Sequence, residues 1–276
     1  MINGVAPAAM ALACADLEVT RGDPGAEMMR VGLGLLRPDF LATEGLGRAL
    51  ANTLAFAFQG VALGAAAGFL LALFWHRRAV RAGAASVRAV HELFWGLLLM
   101  QVTGLSTLTG VLAIALPYAG IFAKVFGEFL EEADPAPAVA LPDDRRRLGR
   151  FFYARLPLIW ASCKAYTGYR LECALRASAI LGFIGLPTLG FHLETAFREG
   201  HYGEGAALLY LLFLLILTLR FWLRPLLLPV YLLAALIWAP PVWTGSLQTL
   251  VRFVTEDLVP APLKSGGGAA ELWVWL

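Results

Sequence analysis

Four ionisable side chains, Lys164, Arg170, Glu172 and Arg176, interrupt an otherwise apolar stretch that runs from about residue 156 to 184. Charges inside a membrane-length apolar segment are costly, so each marks a functional site by default. Glu172 and Arg176 stand one helical turn apart and can pair, whereas Arg170 falls on a different face from Glu172. Two readings stand side by side. In one, a buried ion pair fixes helix packing, with Lys164 and Arg170 near the cytoplasmic end. In the other, the charges line a path for an anion, because a guanidinium can replace the hydration of an oxyanion.

Other patterns suggest chemistry without the means for it. His91-Glu92-Leu93-Phe94-Trp95 begins like a zinc-protease helix, but Trp95 occupies the second histidine position, so no metal is expected there. Arg21-Gly22-Asp23 is a tripeptide expected by chance, and no Gly-x-x-x-x-Gly-Lys-[Ser/Thr] loop is present to cradle ATP. Cys14, Cys163 and Cys173 have no Cys-x-x-Cys spacing and make an odd number, against a disulfide framework. No Ser/His/Asp set falls together. The pattern excludes an enzyme, and no cofactor is expected on this chain.

The elements that must position Arg170 and its neighbours follow from the charge distribution. Of 276 residues, 59% are hydrophobic and 15% charged, with net charge +2, against about 25% charged in a soluble domain. Charge is absent over 49–75, 93–123, 205–219 and 225–251. A helix crosses the hydrocarbon core in roughly 20 apolar residues. The chain therefore reads as an all-α, polytopic membrane protein, and a soluble enzyme, a nucleic-acid binder and a disordered chain are excluded. The expected spans are 49–75, about 89–103, about 108–130, about 156–184, about 205–223 and about 225–243, with a turn at Gly104–Gly110. The third span brings Lys124 and Glu128 onto one helical face.

Orientation follows from Lys and Arg in short loops. The 76–91, 131–155 and 220–224 connections together carry eleven such residues, while 101–110 and 185–204 carry one, Arg198. The basic connections are therefore expected in the cytoplasm and both termini outside. The resulting division is an extracytoplasmic tail 1–45, with an amphipathic stretch near 28–36, a transmembrane domain 46–223, an extra transmembrane helix 224–245 and an extracytoplasmic tail 246–276.

Two further features bear on assembly. Gly60, Gly64 and Gly68 recur every four residues and offer a stripe on which another helix can lie closely; packing within the chain is favoured over a subunit interface. Asn52 and Gln59 are expected to hydrogen-bond between helices. In the 131–155 loop, Asp143 and Asp144 followed by Arg145–Arg147 suit a short helix, acidic first and basic later, with Leu148, Phe151 and Phe152 as its apolar face. That segment reads either as a topological anchor or as a docking helix for a cytosolic partner.

The sequence from about Leu35 to Trp222 resembles the permease subunits of phosphonate-type ABC importers, within the binding-protein-dependent inner-membrane components. The resemblance is carried by Arg88-Ala89-Val90-His91-Glu92-Leu93-Phe94-Trp95, by Ala119-Gly120 through Lys124 to Asp134-Pro135-Ala136-Pro137, by Leu156-Pro157, and by Tyr169-Arg170-Leu171-Glu172 with Arg176-Ala177-Ser178-Ala179-Ile180-Leu181-Gly182. It implies a five-helix permease core in a dimeric unit, here with one extra C-terminal transmembrane helix. Partners would be cytosolic ABC ATPase subunits that hydrolyse the ATP, an extracytoplasmic substrate-binding protein, and a second permease subunit, either this chain or a paralogue. The family's Glu-Ala-Ala-like docking signature has Val139-Ala140-Leu141 as its counterpart, without the following glycine. Its Gly-Ala-Gly-Gly-Ile-Gly block is replaced by Gly185-Leu186-Pro187-Thr188-Leu189-Gly190.

Three expectations result. Arg170, Glu172, Arg176, Gly185 and Gly190 line or gate the substrate path. Val139, Ala140, Leu141, Asp144, Arg147, Leu148 and Phe152 dock the ATPase. The resemblance implies inner-membrane import of a phosphonate or related phosphorus oxyanion; the alternatives are another small solute on the same architecture, or a membrane scaffold that has lost coupling. The apolar stretch after the sixth span loosely echoes the entry at 31–40, as the first half of a duplicated permease would.

Overall fold

The computed structural model describes residues 24–139, 151–223 and 227–242, together with Gly149 and Arg252. Helices account for every regular element among them. In chain order they are α1 (Pro24–Leu36), α2 (Leu46–Ala72), α3 (Arg78–Ala89), α4 (Glu92–Thr103), α5 (Thr107–Glu132) and the single turn α6 (Ala136–Val139). A π-helical turn at Phe151–Arg155 leads into α7 (Leu156–Ile180), followed by a 3-10 turn (Leu181–Ile184), α8 (Leu189–Arg198), α9 (Tyr202–Trp222) and α10 (Leu228–Trp238).

The bundle is built on α2 against α5, and the glycine stripe explains how closely they approach. A Cβ at Gly60 would sit 2.7 Å from the Ile114 Cβ, one at Gly64 2.9 Å from the Tyr118 Cβ, and one at Gly68 2.4 Å from the Phe122 Cβ. Three glycines spaced by four thus receive three bulky residues spaced by four. The stripe serves packing within the chain, as expected. Lower down, Gly127 on α5 accepts the Trp75 ring, where a Cβ would approach to 2.4 Å. Phe56, Ile114, Phe122 and Leu175 are fully buried where α2, α5 and α7 meet.

By length and apolar composition, α2, α5 and residues 202–219 of α9 can each cross a membrane. The 151–184 segment and α8 add a fourth span if their 50° bend is counted within one span. Two of the six expected spans are shorter apolar helices among the described residues. The second expected span is α4, only 12 residues, about 18 Å at 1.5 Å per residue. The sixth is α10, 11 residues, about 16 Å against a hydrocarbon core of about 30 Å. Helix α10 lies along the first half of α2, where Gln59 donates to the Ala235 and Ala239 carbonyls at 2.7 and 2.9 Å and the Trp238 indole donates to Asn52 at 2.9 Å. Asn52 in turn donates to the Pro187 carbonyl at 2.8 Å. Both expected polar bridges therefore form.

The 76–91 segment is also not a loop. It holds α3, which climbs α5 until the Ala84 carbonyl lies 2.7 Å from a Cβ built at Gly120. Gly120 sits halfway along the 26-residue α5. Together α3 and α4 form one interrupted path up the bundle, broken at Val90 and His91, whose backbones are extended. The turn after α4 falls where expected: Gly104 has φ +67°, and the hydroxyls of Thr103, Ser106 and Thr109 interlock at 2.6 and 2.9 Å.

Candidate functional site

Arg170 is the centre of the site. Helix α7 rises past α5 so that the Arg170 guanidinium lies 4.2 Å from the centroid of the Tyr118 ring. This is a cation–π contact, strengthened where water is excluded. Tyr118 is itself fixed from behind by Gly64 and is almost fully buried. The Arg170 Nε is buried and has no hydrogen-bond partner among the described residues. Tyr166, one turn before Arg170, sets its ring edge-on to Phe122 at 5.8 Å and to Phe129 at 6.5 Å.

Other charges gather at the same depth. Glu92, Arg170, Cys173 and Arg176 lie within electrostatic reach of the Tyr118 hydroxyl. Arg88, an exposed residue of α3, passes close by, with its Cβ 3.3 Å from a Cβ built at Gly120. Glu172 and Arg176 are 3.9 Å apart, both about half exposed, so the expected pair forms as a loose contact on the outer surface of α7. The Arg176 guanidinium also approaches the Cys173 sulfur at 3.8 Å. More than a turn nearer the Trp75 end, Lys124 and Glu128 pair at 3.4 Å. The structure thus sets Arg170 against Tyr118 midway along the spans, with Arg176 in electrostatic reach but on the outer surface of α7. It adds Tyr118, Arg88 and Glu92, which spacing along one helix did not indicate. The signal was present in Arg88-x-x-His91-Glu92, three ionisable groups beside a 31-residue uncharged run.

Gly185 and Gly190 lie above this layer. Gly185 takes φ +91° and ends the 3-10 turn; a Cβ there would meet only Leu105, at 3.7 Å. Gly190 is at a backbone crossing: a Cβ would fall 1.6 Å from the Ala179 carbonyl, and one at Gly182 2.1 Å from the Phe191 nitrogen. The open side of Gly190 is therefore filled by α7. At the start of α8, the Leu189 N–H is held by the Thr53 hydroxyl at 3.0 Å.

At the opposite end, a cleft of about 350 Å³ is lined by Trp75, His76, Glu131, Phe151 and Arg155, among others. Arg81 reaches the Trp75 carbonyl and ion-pairs with Glu131. Phe151 packs 6.2 Å from Phe69, while Phe152 turns outward, 54% exposed. Of the expected docking residues, Val139 closes the α6 turn, and Ala140, Leu141, Asp144, Arg147 and Leu148 lie outside the described residues. Among the described residues no group of three or more His, Cys, Asp or Glu side chains is placed to hold a metal.

No family model matches the chain. A solved amino acid ABC transporter with histidines has TM-score 0.54 and 18% identity over 77% of this chain and 99% of that one. The fold is that of an ABC-transporter permease, and the chain is a multi-pass membrane protein. Among curated proteins, the phosphate-import permease protein PhnE of Mycolicibacterium smegmatis is 34% identical over 167 residues, 55% of this chain and 31% of that protein. The phosphite transport system permease protein PtxC of Stutzerimonas stutzeri is 30% identical over 182 residues, 62% of this chain and 66% of that protein. Within the permease class the chain is thus similar to phosphate-import and phosphite-transport permease proteins, and it spans about a third to two thirds of the length of these relatives.

Proposed function

We propose that the chain is a permease subunit of an ABC importer that moves a phosphonate or related small phosphorus oxyanion across the inner membrane. Separate ATPase subunits would drive it, an extracytoplasmic binding protein would deliver the ligand, and a second permease subunit would complete the pathway. The observation that carries the reading is Arg170 over Tyr118 at mid-span, with a buried and unpartnered Nε, in a chain whose relatives carry phosphate and phosphite in their names. A guanidinium held in low dielectric is matched to a tetrahedral oxyanion, and a binding cost is avoided because the cation is already desolvated.

In this reading the end of the bundle with Gly104, Pro187 and the start of α2 faces outward. The Trp75, Glu131 and Phe151 end faces the cytoplasm, in keeping with the basic residues gathered there. Residues 1–45 and 246–276 are then extracytoplasmic, and the chain from Val139 to Phe152 offers the ATPase its docking surface. Catalysis of ATP hydrolysis belongs to the partners.

The test is growth and uptake in a strain lacking the chain, supplied in turn with phosphonate, phosphite, phosphate or an organosulfur compound as the single source. Growth should fail on one or more phosphorus sources and recover with the intact gene. Arg170→Ala, stably inserted, should restore ATPase co-purification but not uptake. Unimpaired growth of the deletion strain on every phosphorus source would sink the proposal.

A further inference from the structure

The break between α3 and α4 lies at the depth of Arg170, and the reading above gives it no task. Non-helical backbone within the hydrocarbon region is tolerated only where protein buries it or where it lines a polar cavity. Here two side chains satisfy part of it: the Trp95 indole donates to the Val87 carbonyl at 3.1 Å, and the His91 Nδ1 accepts from the Leu93 N–H at 3.2 Å. The break places Arg88 beside α5 and Glu92 in electrostatic reach of Tyr118 on it.

Glu92 is the informative member. It is a carboxylate that acts on the Tyr118 hydroxyl together with Arg170 and Arg176, and its side chain is only 19% exposed. Simple neutralisation would put it in contact with a guanidinium. Instead its ion-pair contact among the described residues is the His91 Nε2, at 3.8 Å, and the Arg170 Nε stays without an acceptor. Cation and carboxylate thus both act on the Tyr118 hydroxyl with no ion pair between them among the described residues, which leaves a donor and an acceptor for a third group.

An ionised carboxylate can only accept hydrogen bonds. Beside a bound anion it repels, unless the anion itself carries an O–H to donate; then the contact is a charge-assisted hydrogen bond. Resting on the permease reading, we infer that this layer is a binding constriction for a tetrahedral oxyanion that still bears a proton. Arg170 holds its charge, and Glu92 accepts its O–H. Hydrogen phosphate and the monoanions of phosphite and phosphonates meet that requirement. Sulfate, with no proton near neutral pH, does not. Sites built to hydrogen-bond a ligand O–H reject analogues that lack it by large factors.

The test uses the full chain in lipid nanodiscs, with radiolabelled inorganic phosphate as probe and unlabelled sulfate as competitor. The intact chain should retain phosphate, with sulfate at least tenfold weaker than phosphate as competitor. Glu92→Gln should bring sulfate within about twofold of phosphate, Glu92→Asp should keep the discrimination, and Arg170→Ala should lose phosphate at least tenfold. A Glu92→Gln chain that elutes as the intact one does and discriminates as before overturns the inference. So does an intact chain that retains no phosphate while its deletion strain fails on phosphorus sources, an outcome that leaves the permease reading standing. Normal growth of the deletion strain overturns the permease reading itself.

Discussion

The guanidinium of Arg170 stacks on the ring of Tyr118 at 4.2 Å, and the same Tyr118 Cβ faces Gly64 across the α2–α5 contact. One aromatic residue therefore joins the packing stripe to the charged layer. Tyr118→Phe keeps the ring face and should leave thermal stability within about 0.5 kcal/mol, as a change outside the large-effect classes does. Tyr118→Leu removes the cation–π contact, about 1–2 kcal/mol when desolvated, along with ring packing. Melting curves of the two variants in detergent check the order.

The glycine stripe predicts a sharp contrast with a glycine elsewhere. Gly68→Ala forces a Cβ to 2.4 Å from the Phe122 Cβ and 2.9 Å from the Ala119 carbonyl, so it should destabilise by about 1–3 kcal/mol through overpacking. Gly83, inside α3, has nothing within 4 Å of its Cβ position. Gly83→Ala should stabilise by about 0.5–1 kcal/mol, the helix-propensity difference. Opposite shifts in melting temperature are the expected result.

Helix α10 is held to α2 by Gln59, which donates to two carbonyls at its C-terminal turn. Gln59→Leu leaves those carbonyls without the donor and should cost about 1–3 kcal/mol. Hydrogen exchange should rise in residues 228–239 and remain unchanged in α5. Uniform protection in both variants would show that α10 is held by apolar packing instead.

The hydrogen bond from Tyr202, with Arg30 beside it, holds the Glu27 carboxyl below its ordinary value of 4.5. A lowered folded value means that the contact stabilises the docking of α1 above the unfolded value and weakens as pH falls through the folded one. Docking of α1 on α9 should therefore persist at pH 5 and loosen only below 4.5. Tyr202→Phe should raise the Glu27 titration midpoint, read from the carboxyl carbon shift of labelled protein.

The break between α3 and α4 depends on His91 as the cap of α4. His91→Ala removes the acceptor for the Leu93 N–H, a loss of about 0.5–2 kcal/mol for a cap. Near-ultraviolet dichroism should report the change through Trp95, whose indole bridges the break to Val87.

Local patterns made some of this legible from sequence and hid the rest. The stripe of Gly60, Gly64 and Gly68 is periodic, so its packing role could be read along one helix. The polar bridges of Asn52 and Gln59 were also legible, because a lone amide in an apolar run needs a partner. The mid-span layer was only half visible. Arg170 and Arg176 betray themselves by interrupting an apolar stretch, but Arg88 and Glu92 sit where charge resumes after one, and charge placement alone assigns that region to a loop. What brings it into the bundle is long-range: Gly120 leaves room for α3, and Trp95 ties the two half-helices together. The described part of the last expected helix, α10, ends where Pro240 and Pro241 follow its last turn, a stop that an uncharged run does not record.

The crossing at Gly182 and Gly190 constrains how the bundle can move. With the backbone of α8 resting on the Ala179 carbonyl, no side-chain layer is left there to slide. The 50° bend between the α7 segment and α8 is thereby clamped, and a side chain at either glycine would force the two backbones apart. Arg170 is thus carried on a helix whose far end is locked, backbone to backbone, to α8.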